Sequence, residues 1–181
     1  MESSLFVPWP KTPRGGAIAG IITEKMDGTN ACVIVQDGKV VGVQSRRRMI
    51  TPEDDNYGFA AWVEENKEEL GTLGDGYHYG EWVGPGIQKN PHNLEQKEFY
   101  LFDTMRFCVG RQTPPKCVKV VRELYVGPID DWIIESEMVH LAERGEDLDY
   151  KPEGIIVYYF KTKSREKYTF ANSKGKWQNI E

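Results

Sequence analysis

The dipeptide Asp37-Gly38 separates two short β-type runs, Ala31-Cys-Val-Ile-Val35 and Lys39-Val-Val-Gly-Val43. Asp-Gly supplies the positive φ angles that a tight primed turn requires, so this spacing predicts an antiparallel hairpin. Other runs of strand-forming residues surround it: Ala17 to Glu24 ahead of the hairpin, then Tyr77 to Val83, Phe99 to Phe102, Val118 to Leu124, Gly154 to Phe160 and Lys167 to Phe170. Two segments carry helical spacing instead. Asn56 to Leu70 sets Phe59, Trp62, Val63 and Leu70 roughly on one face, and Asp131 to Arg144 does the same with Ile134, Met138, Leu141 and Ala142. Gly145 is the expected stop of that second helix. Strands dominate and helices are inserted among them, which is the pattern of an α+β fold. Pro8, Pro10, Pro13, Gly15 and Gly16 mark an irregular opening stretch.

A length of 181 residues suits one domain, and 39% hydrophobic with 28% charged residues is the composition of an ordinary globular core and surface. No apolar stretch approaches the ~20 residues that span a bilayer, which excludes a helical membrane protein. Met1 to Trp9 lacks the basic and apolar regions of a signal peptide. The three cysteines, Cys32, Cys108 and Cys117, fit neither a Cys-x-x-Cys metal site nor an even-numbered disulfide framework, and read as reduced thiols. The net charge of -5 argues against a large passive nucleic-acid coat, while leaving room for a local basic track.

The chemistry concentrates in Glu24-Lys25-Met26-Asp27-Gly28-Thr29-Asn30. A lysine where a strand ends and a glycine turn begins can present its amine to a ligand. A free lysine, with a reference pKa of about 10.4, is almost wholly protonated at neutral pH and attacks nothing; burial or a neighbouring cation would be needed to free the lone pair. Gly28 would let the backbone approach a nucleotide. Taken alone the motif also reads as a surface turn, since Asp-Gly is common there. Ser45-Arg46-Arg47-Arg48 follows the hairpin and favours an anionic partner. Glu81, in Tyr79-Gly80-Glu81-Trp82-Val83-Gly84-Pro85-Gly86-Ile87-Gln88, sets a carboxylate on an otherwise apolar strand, costly without a partner.

Lys25-Met26-Asp27-Gly28 resembles the nucleophile motif of the ATP-dependent ligases and capping enzymes, and with its flanks Glu24, Thr29 and Asn30 it is most similar to the RNA ligase form. Further motifs of that family follow in order across nearly the whole chain. The resemblance implies that Lys25 takes AMP from ATP onto its side chain. It implies that Arg46 and Glu81 grip the ribose and that Phe102, in Phe99-Tyr100-Leu101-Phe102-Asp103, stacks on adenine. Asp27, Gly28 and Asn30 would line the nucleotide site, and Glu24 would read the adenine amino group. Glu153, in Lys151-Pro152-Glu153-Gly154-Ile155-Ile156-Val157, would hold Mg²⁺, or Mn²⁺ in its place.

The family's last motif, two lysines one residue apart, matches less well. One register makes Lys167 the phosphate lysine and sets Thr169 where the second lysine belongs. The other, anchored on Asn172-Ser173-Lys174, puts Thr169 and Ala171 there and leaves Lys174 or Lys176 to substitute. The resemblance thus implies an α+β nucleotidyltransferase domain of antiparallel sheets packed with helices, the nucleotide in the cleft between them. Residues 1–181 are expected to form one such domain, without an OB-fold or C-terminal appendage. The implied activity is an ATP-dependent RNA ligase, monomeric, acting on RNA ends or a nicked duplex in a bacterial or phage-infected cytoplasm. A minimal ATP-dependent DNA ligase, a capping guanylyltransferase and a nucleotide- or RNA-binding relative without catalysis are the alternatives. Arg46 to Arg48 with Lys161, Lys163, Arg165, Lys174 and Lys176 would form a basic track.

Overall fold

The computed structural model describes residues 18–107 and 110–172. The irregular opening stretch, Ala17, Cys108, Lys174 and Lys176 lie outside the described residues. The described residues form two sheets. One is wholly antiparallel, with β1 (Ile18–Glu24), β7 (Glu123–Ile129), β8 (Gly154–Tyr159) and β9 (Arg165–Thr169) in the order β7-β1-β8-β9. The other has the order β3-β2-β4-β5-β6, built from β2 (Thr29–Gln36), β3 (Lys39–Ser45), β4 (Gly76–Val83), β5 (Glu98–Leu101) and β6 (Val118–Val120), and only its β5–β6 pair is parallel. The fold is α+β, as the alternation of strands and helical segments implies. Asp37 and Gly38 both have positive φ, 51° and 68°, and join β2 to β3 as the hairpin they were expected to make.

Among the described residues, three α-helices flank the sheets. The predicted helix over Asn56 to Leu70 is two pieces, α1 (Phe59–Glu65) and α2 (Lys67–Gly71), divided at Asn66. Asp55 sets the start: its carboxylate accepts the backbone N–H groups of Ala60 (2.8 Å) and Ala61 (3.0 Å), which have no earlier helical partner. Phe59, Val63 and Leu70 then reach the larger core with Val33, Trp82, Phe99 and Leu101. The third helix, α3 (Asp131–Asp147), is capped by Asp130, whose carboxylate accepts from the Ile133 N–H, and it buries Ile134, Met138 and Leu141 against Ile22, Ile155 and Val157. It does not stop at Gly145. The helix runs on through it to Asp147, and the position takes glycine because a Cβ there would meet the Pro152 ring at 2.5 Å and the Tyr150 carbonyl oxygen at 2.8 Å. No helix among the described residues is long and apolar enough to cross a membrane.

The sheets are stitched together at two crossings. Lys25 to Gly28 carries the chain from β1 into β2, so the proposed nucleophile motif is itself a passage between sheets. The run expected as one strand, Val118 to Leu124, is the second passage: it breaks at Val121 and Arg122, sending β6 to one sheet and β7 to the other. The crossings are tied to each other, since Glu24 N–H donates to the Arg122 carbonyl at 2.9 Å. Met26 and Val121 pack with Val83 as a small core between the sheets. Gly28 is a point of close approach in the first crossing. A Cβ on it would stand 2.4 Å from the Trp82 carbonyl oxygen and 2.5 Å from Val83 Cγ1. Gly28→Ala should therefore push β4 away and cost about 1–3 kcal/mol, the usual penalty of an overpacked interior. Thermal unfolding of the variant measures this, and an unchanged Tm would show that the crossing yields without strain.

Candidate active site

The first crossing delivers Lys25 with its backbone fixed, its N–H donating to the Gly154 carbonyl at 2.9 Å. Its Nζ lies 2.5 Å from Glu153 Oε2, an ion pair between groups 128 residues apart in sequence. Glu153 can stand there because the next residue is glycine: Gly154 has φ +147°, and a Cβ on it would fall 2.0 Å from the Tyr168 carbonyl oxygen. The charged neighbour of Nζ is thus an anion, where the sequence alone called for burial or a cation.

Glu81 completes this cluster. It sits on β4 opposite Asn30 of β2 and accepts from Asn30 Nδ2 at 3.0 Å. Burial pushes its carboxyl up to about 7; Lys25 pulls it back down, Glu153 and Asp27 push it further up, and the Gly28 amide lowers it by donating to the carboxylate. Gly28 accordingly presses on β4 and faces Glu81, which gives it a use in the chain's own packing. Asp27 is half-buried beside the same carboxylate.

Next to the cluster, a recess of about 160 Å³ is lined by Asn30, Ser45, Arg46, Tyr79, Gly80 and Phe102, among others. Asn30 therefore touches both features. Phe102 follows β5 and is 42% exposed. Arg46 and Arg47 are exposed, but Arg48 is not part of a free basic track. Its guanidinium binds Asp54 at 2.6 Å and the Asp55 carbonyl at 3.1 Å, closing the loop after β3. Arg165 is likewise engaged, lying over the Tyr158 ring at 4.9 Å.

Glu24 stands apart from that recess. It is 5% exposed, and its Oε1 is met by His92 Nε2 at 2.8 Å and by the Tyr150 hydroxyl, which donates at 3.0 Å. The His92 and Tyr150 rings stack with centroids 4.8 Å apart. Burial and the Glu24 carboxylate push the Tyr150 hydroxyl up to about 12, which keeps it a donor. Sequence reasoning missed both partners; they come from loops with no periodic or motif signal.

Lys167 and Thr169 share one face of β9, Lys167 exposed and opposite Ile156, Thr169 buried and opposite Gly154. Thr169 Oγ1 is buried without a hydrogen-bond partner among the described residues. That orphan hydroxyl, beside the residue that follows Glu153, is the kind of group a ligand oxygen satisfies. No group of three or more His, Cys, Asp or Glu side chains among the described residues could hold a metal ion. Glu153 would be one carboxylate ligand, with water and substrate oxygens for the rest; that donor set suits Mg²⁺, which is usually bound in this way.

The family model for RNA ligase matches residues 20–173. Among solved structures, Naegleria gruberi RNA ligase with PPi is 23% identical with a TM-score of 0.62, covering 91% of this chain and 53% of that one. A mutant of the same enzyme with ATP and Mn has 21% identity and a TM-score of 0.62, over 91% of this chain and 52% of that one. A further mutant with AMP and Mn gives 20% and 0.60, over 90% and 52%. The likeness shows the fold, and the chain spans about half the length of the structures it matches.

The raised carboxyl of Glu81 has a measurable consequence. Its neutral form is the one the folded state prefers, so its contribution to stability is full below about 4.5, the ordinary value, and is lost as pH rises through about 7. Glu81→Gln cannot ionise. Compared with the parent it should gain on the order of 3 kcal/mol between pH 4.5 and pH 8. Denaturant unfolding at the two pH values checks this; a difference between the proteins that does not change with pH would mean that Glu81 titrates as an exposed carboxylate.

Proposed function

The chain belongs to the RNA ligase family, and from that membership we propose that it is an ATP-dependent RNA ligase working through a lysyl-AMP intermediate on Lys25. The observation that carries this reading is the meeting of Lys25, Glu81 and Glu153 at one crossing between two sheets, with Lys25 Nζ 2.5 Å from Glu153 Oε2. Lysine and carboxylates so arranged suit transfer of a nucleotidyl group, where positioning and charge neutralisation supply most of the rate.

Phosphate oxygens entering the cleft compete with Glu153 for the lysine. Nζ, once rid of its proton, attacks the α-phosphorus of ATP; an N–P bond forms, the bond to the bridging oxygen breaks, and pyrophosphate leaves. The AMP then passes from Lys25 to a 5′-phosphate of the RNA, regenerating the amine. Finally a 3′-hydroxyl attacks that 5′-phosphorus, AMP leaves, and the strand is sealed. Arg46 and Glu81 bind the ribose, Phe102 stacks on the adenine, and Asn30 holds the Glu81 carboxylate toward the sugar. Asp27 and Gly28 shape the turn, and Glu24, held by His92 and Tyr150 apart from the recess that Phe102 lines, anchors the end of the strand that delivers Lys25. Glu153 would hold Mg²⁺ or Mn²⁺, which when bound neutralises charge on the α-phosphate. Lys167 adds positive charge to that phosphate, and the Thr169 hydroxyl donates to it where the family has a second lysine. The substrates are ATP and either RNA ends or a nicked duplex, handled by a monomer.

Two experiments test the reading. With labelled ATP and Mg²⁺ the protein should acquire a covalent label, GTP giving none, and both Lys25→Ala and Lys25→Arg should abolish it, since arginine keeps the charge but stays protonated. Undiminished labelling of Lys25→Ala would remove Lys25 as the nucleophile. Lys167→Ala should slow the same labelling by roughly 10²–10³, the cost of one preorganised contact to developing charge. The pair Lys174→Ala with Lys176→Ala should leave labelling within a few-fold, and the reverse ranking would assign the phosphate contact to the chain's last lysines.

A further inference from the structure

The cleft face of the five-stranded sheet carries aromatic rings beyond those the nucleotide needs. Residues directly opposite each other in antiparallel strands share a face. Asn30 with Glu81, Cys32 with Tyr79 and Ile34 with Tyr77 are such pairs, so Glu81, Tyr79 and Tyr77 step along one face of β4, away from Lys25. Phe102 joins them from the neighbouring strand, its N–H donating to the Tyr79 carbonyl at 3.0 Å. Phe102 and Tyr79 both line the 160 Å³ recess. Tyr77 lies outside it.

Tyr77 is 60% exposed and Tyr79 53%, and their rings stack on each other, with centroids 6.1 Å apart and planes within 15°. Two large rings held nearly parallel on a rigid strand and open to solvent present their outer faces to a further stacking partner, with little side-chain entropy left to lose. Across the sheet, Ile34 and Gly42 add no charge, and the side chains beside Gly42 are the apolar ones of Ile34 and Met49. The far end approaches Asp75, which accepts from the Gly38 N–H at the hairpin tip, so an anionic backbone gains nothing there. The surface therefore suits the faces of bases more than phosphates.

We infer that Tyr77 and Tyr79 form a stacking platform for unpaired bases of a single-stranded RNA segment next to the end being joined. The inference rests on the ligase reading of the recess, because it is continuity with that nucleotide site that selects RNA as the occupant. An RNA end must come to the recess, and its neighbouring bases then meet Tyr79 and Tyr77 in turn. Stacking on aromatic rings tolerates any base, so the platform carries affinity for single strands without sequence preference.

Tyr77 is the residue to test, since it lies outside the nucleotide recess. Fluorescence anisotropy with a short labelled single-stranded RNA should show Tyr77→Ala binding roughly 5- to 150-fold more weakly than the parent, the range expected for one lost base stack. Tyr77→Phe, which keeps the ring, should bind like the parent. The salt dependence should be the same for all three, because no phosphate contact is removed. A blunt duplex RNA should show no loss with Tyr77→Ala, and Lys25 labelling by ATP should be unchanged in that variant. Equal single-strand affinity of Tyr77→Ala and parent overturns the platform. So does a change in its assembly state with RNA binding intact, which would make this face a protein contact. Labelling in the parent tests the ligase reading separately: single-strand binding that depends on Tyr77 in a protein that never labels would retain the platform and discard the reaction.

Discussion

The contact between Gly28 and β4 governs the rest of the site. The passage from β1 to β2 is only four residues long, and it runs so close to Trp82 and Val83 that no side chain fits at Gly28. This fixes the distance between the two sheets where they meet. The Lys25 N–H bond to the Gly154 carbonyl fixes the other side of the same passage against β8. Lys25, Glu81 and Glu153 are thus brought together by backbone contacts, and their side chains have only to extend into the space between.

The charges gathered there do not balance. Glu81, Glu153 and Asp27 gather near one ammonium, and burial above all, with the two neighbouring carboxylates adding to it, makes Glu81 hold its proton up to about 7. Such a cluster favours added positive charge, and a phosphate entering it benefits from any cation that accompanies it. Lys167 on the shared face of β9 and the unpartnered hydroxyl of Thr169 border the same region. An anionic ligand would satisfy that hydroxyl, offset the excess carboxylate only with a cation, and free Lys25 from Glu153. The basic side chains that looked available in sequence contribute unevenly. Arg48 is bound to Asp54, while Arg46 remains at the recess.

Much of the fold was legible because local rules apply to it. Asp37-Gly38 demands a hairpin by its φ angles, and the apolar spacing of α3 marks the face it buries. The misreadings have physical causes too. Gly145 looks like a helix stop until Pro152 is seen packed against it, an interaction between segments that periodicity does not register. The run from Val118 to Leu124 has the composition of one strand, yet it changes sheets at Arg122, because β-propensity says nothing about which neighbour a strand pairs with.

The sequence by itself determined the α+β class, the order of the motifs and the identity of Lys25, Glu81 and Glu153 as the residues to watch, since residue type and local spacing are properties of the chain. Only the tertiary structure decided which of them meet. Lys25 and Glu153 are 128 positions apart, and Glu24 finds His92 and Tyr150 on two loops without any motif. The parallel rings of Tyr77 and Tyr79 depend on strand register and on the solvent exposure of one sheet face. Those are consequences of how strands pair and how loops close over them, energies summed over contacts distant in sequence, and no local pattern of residues contains them.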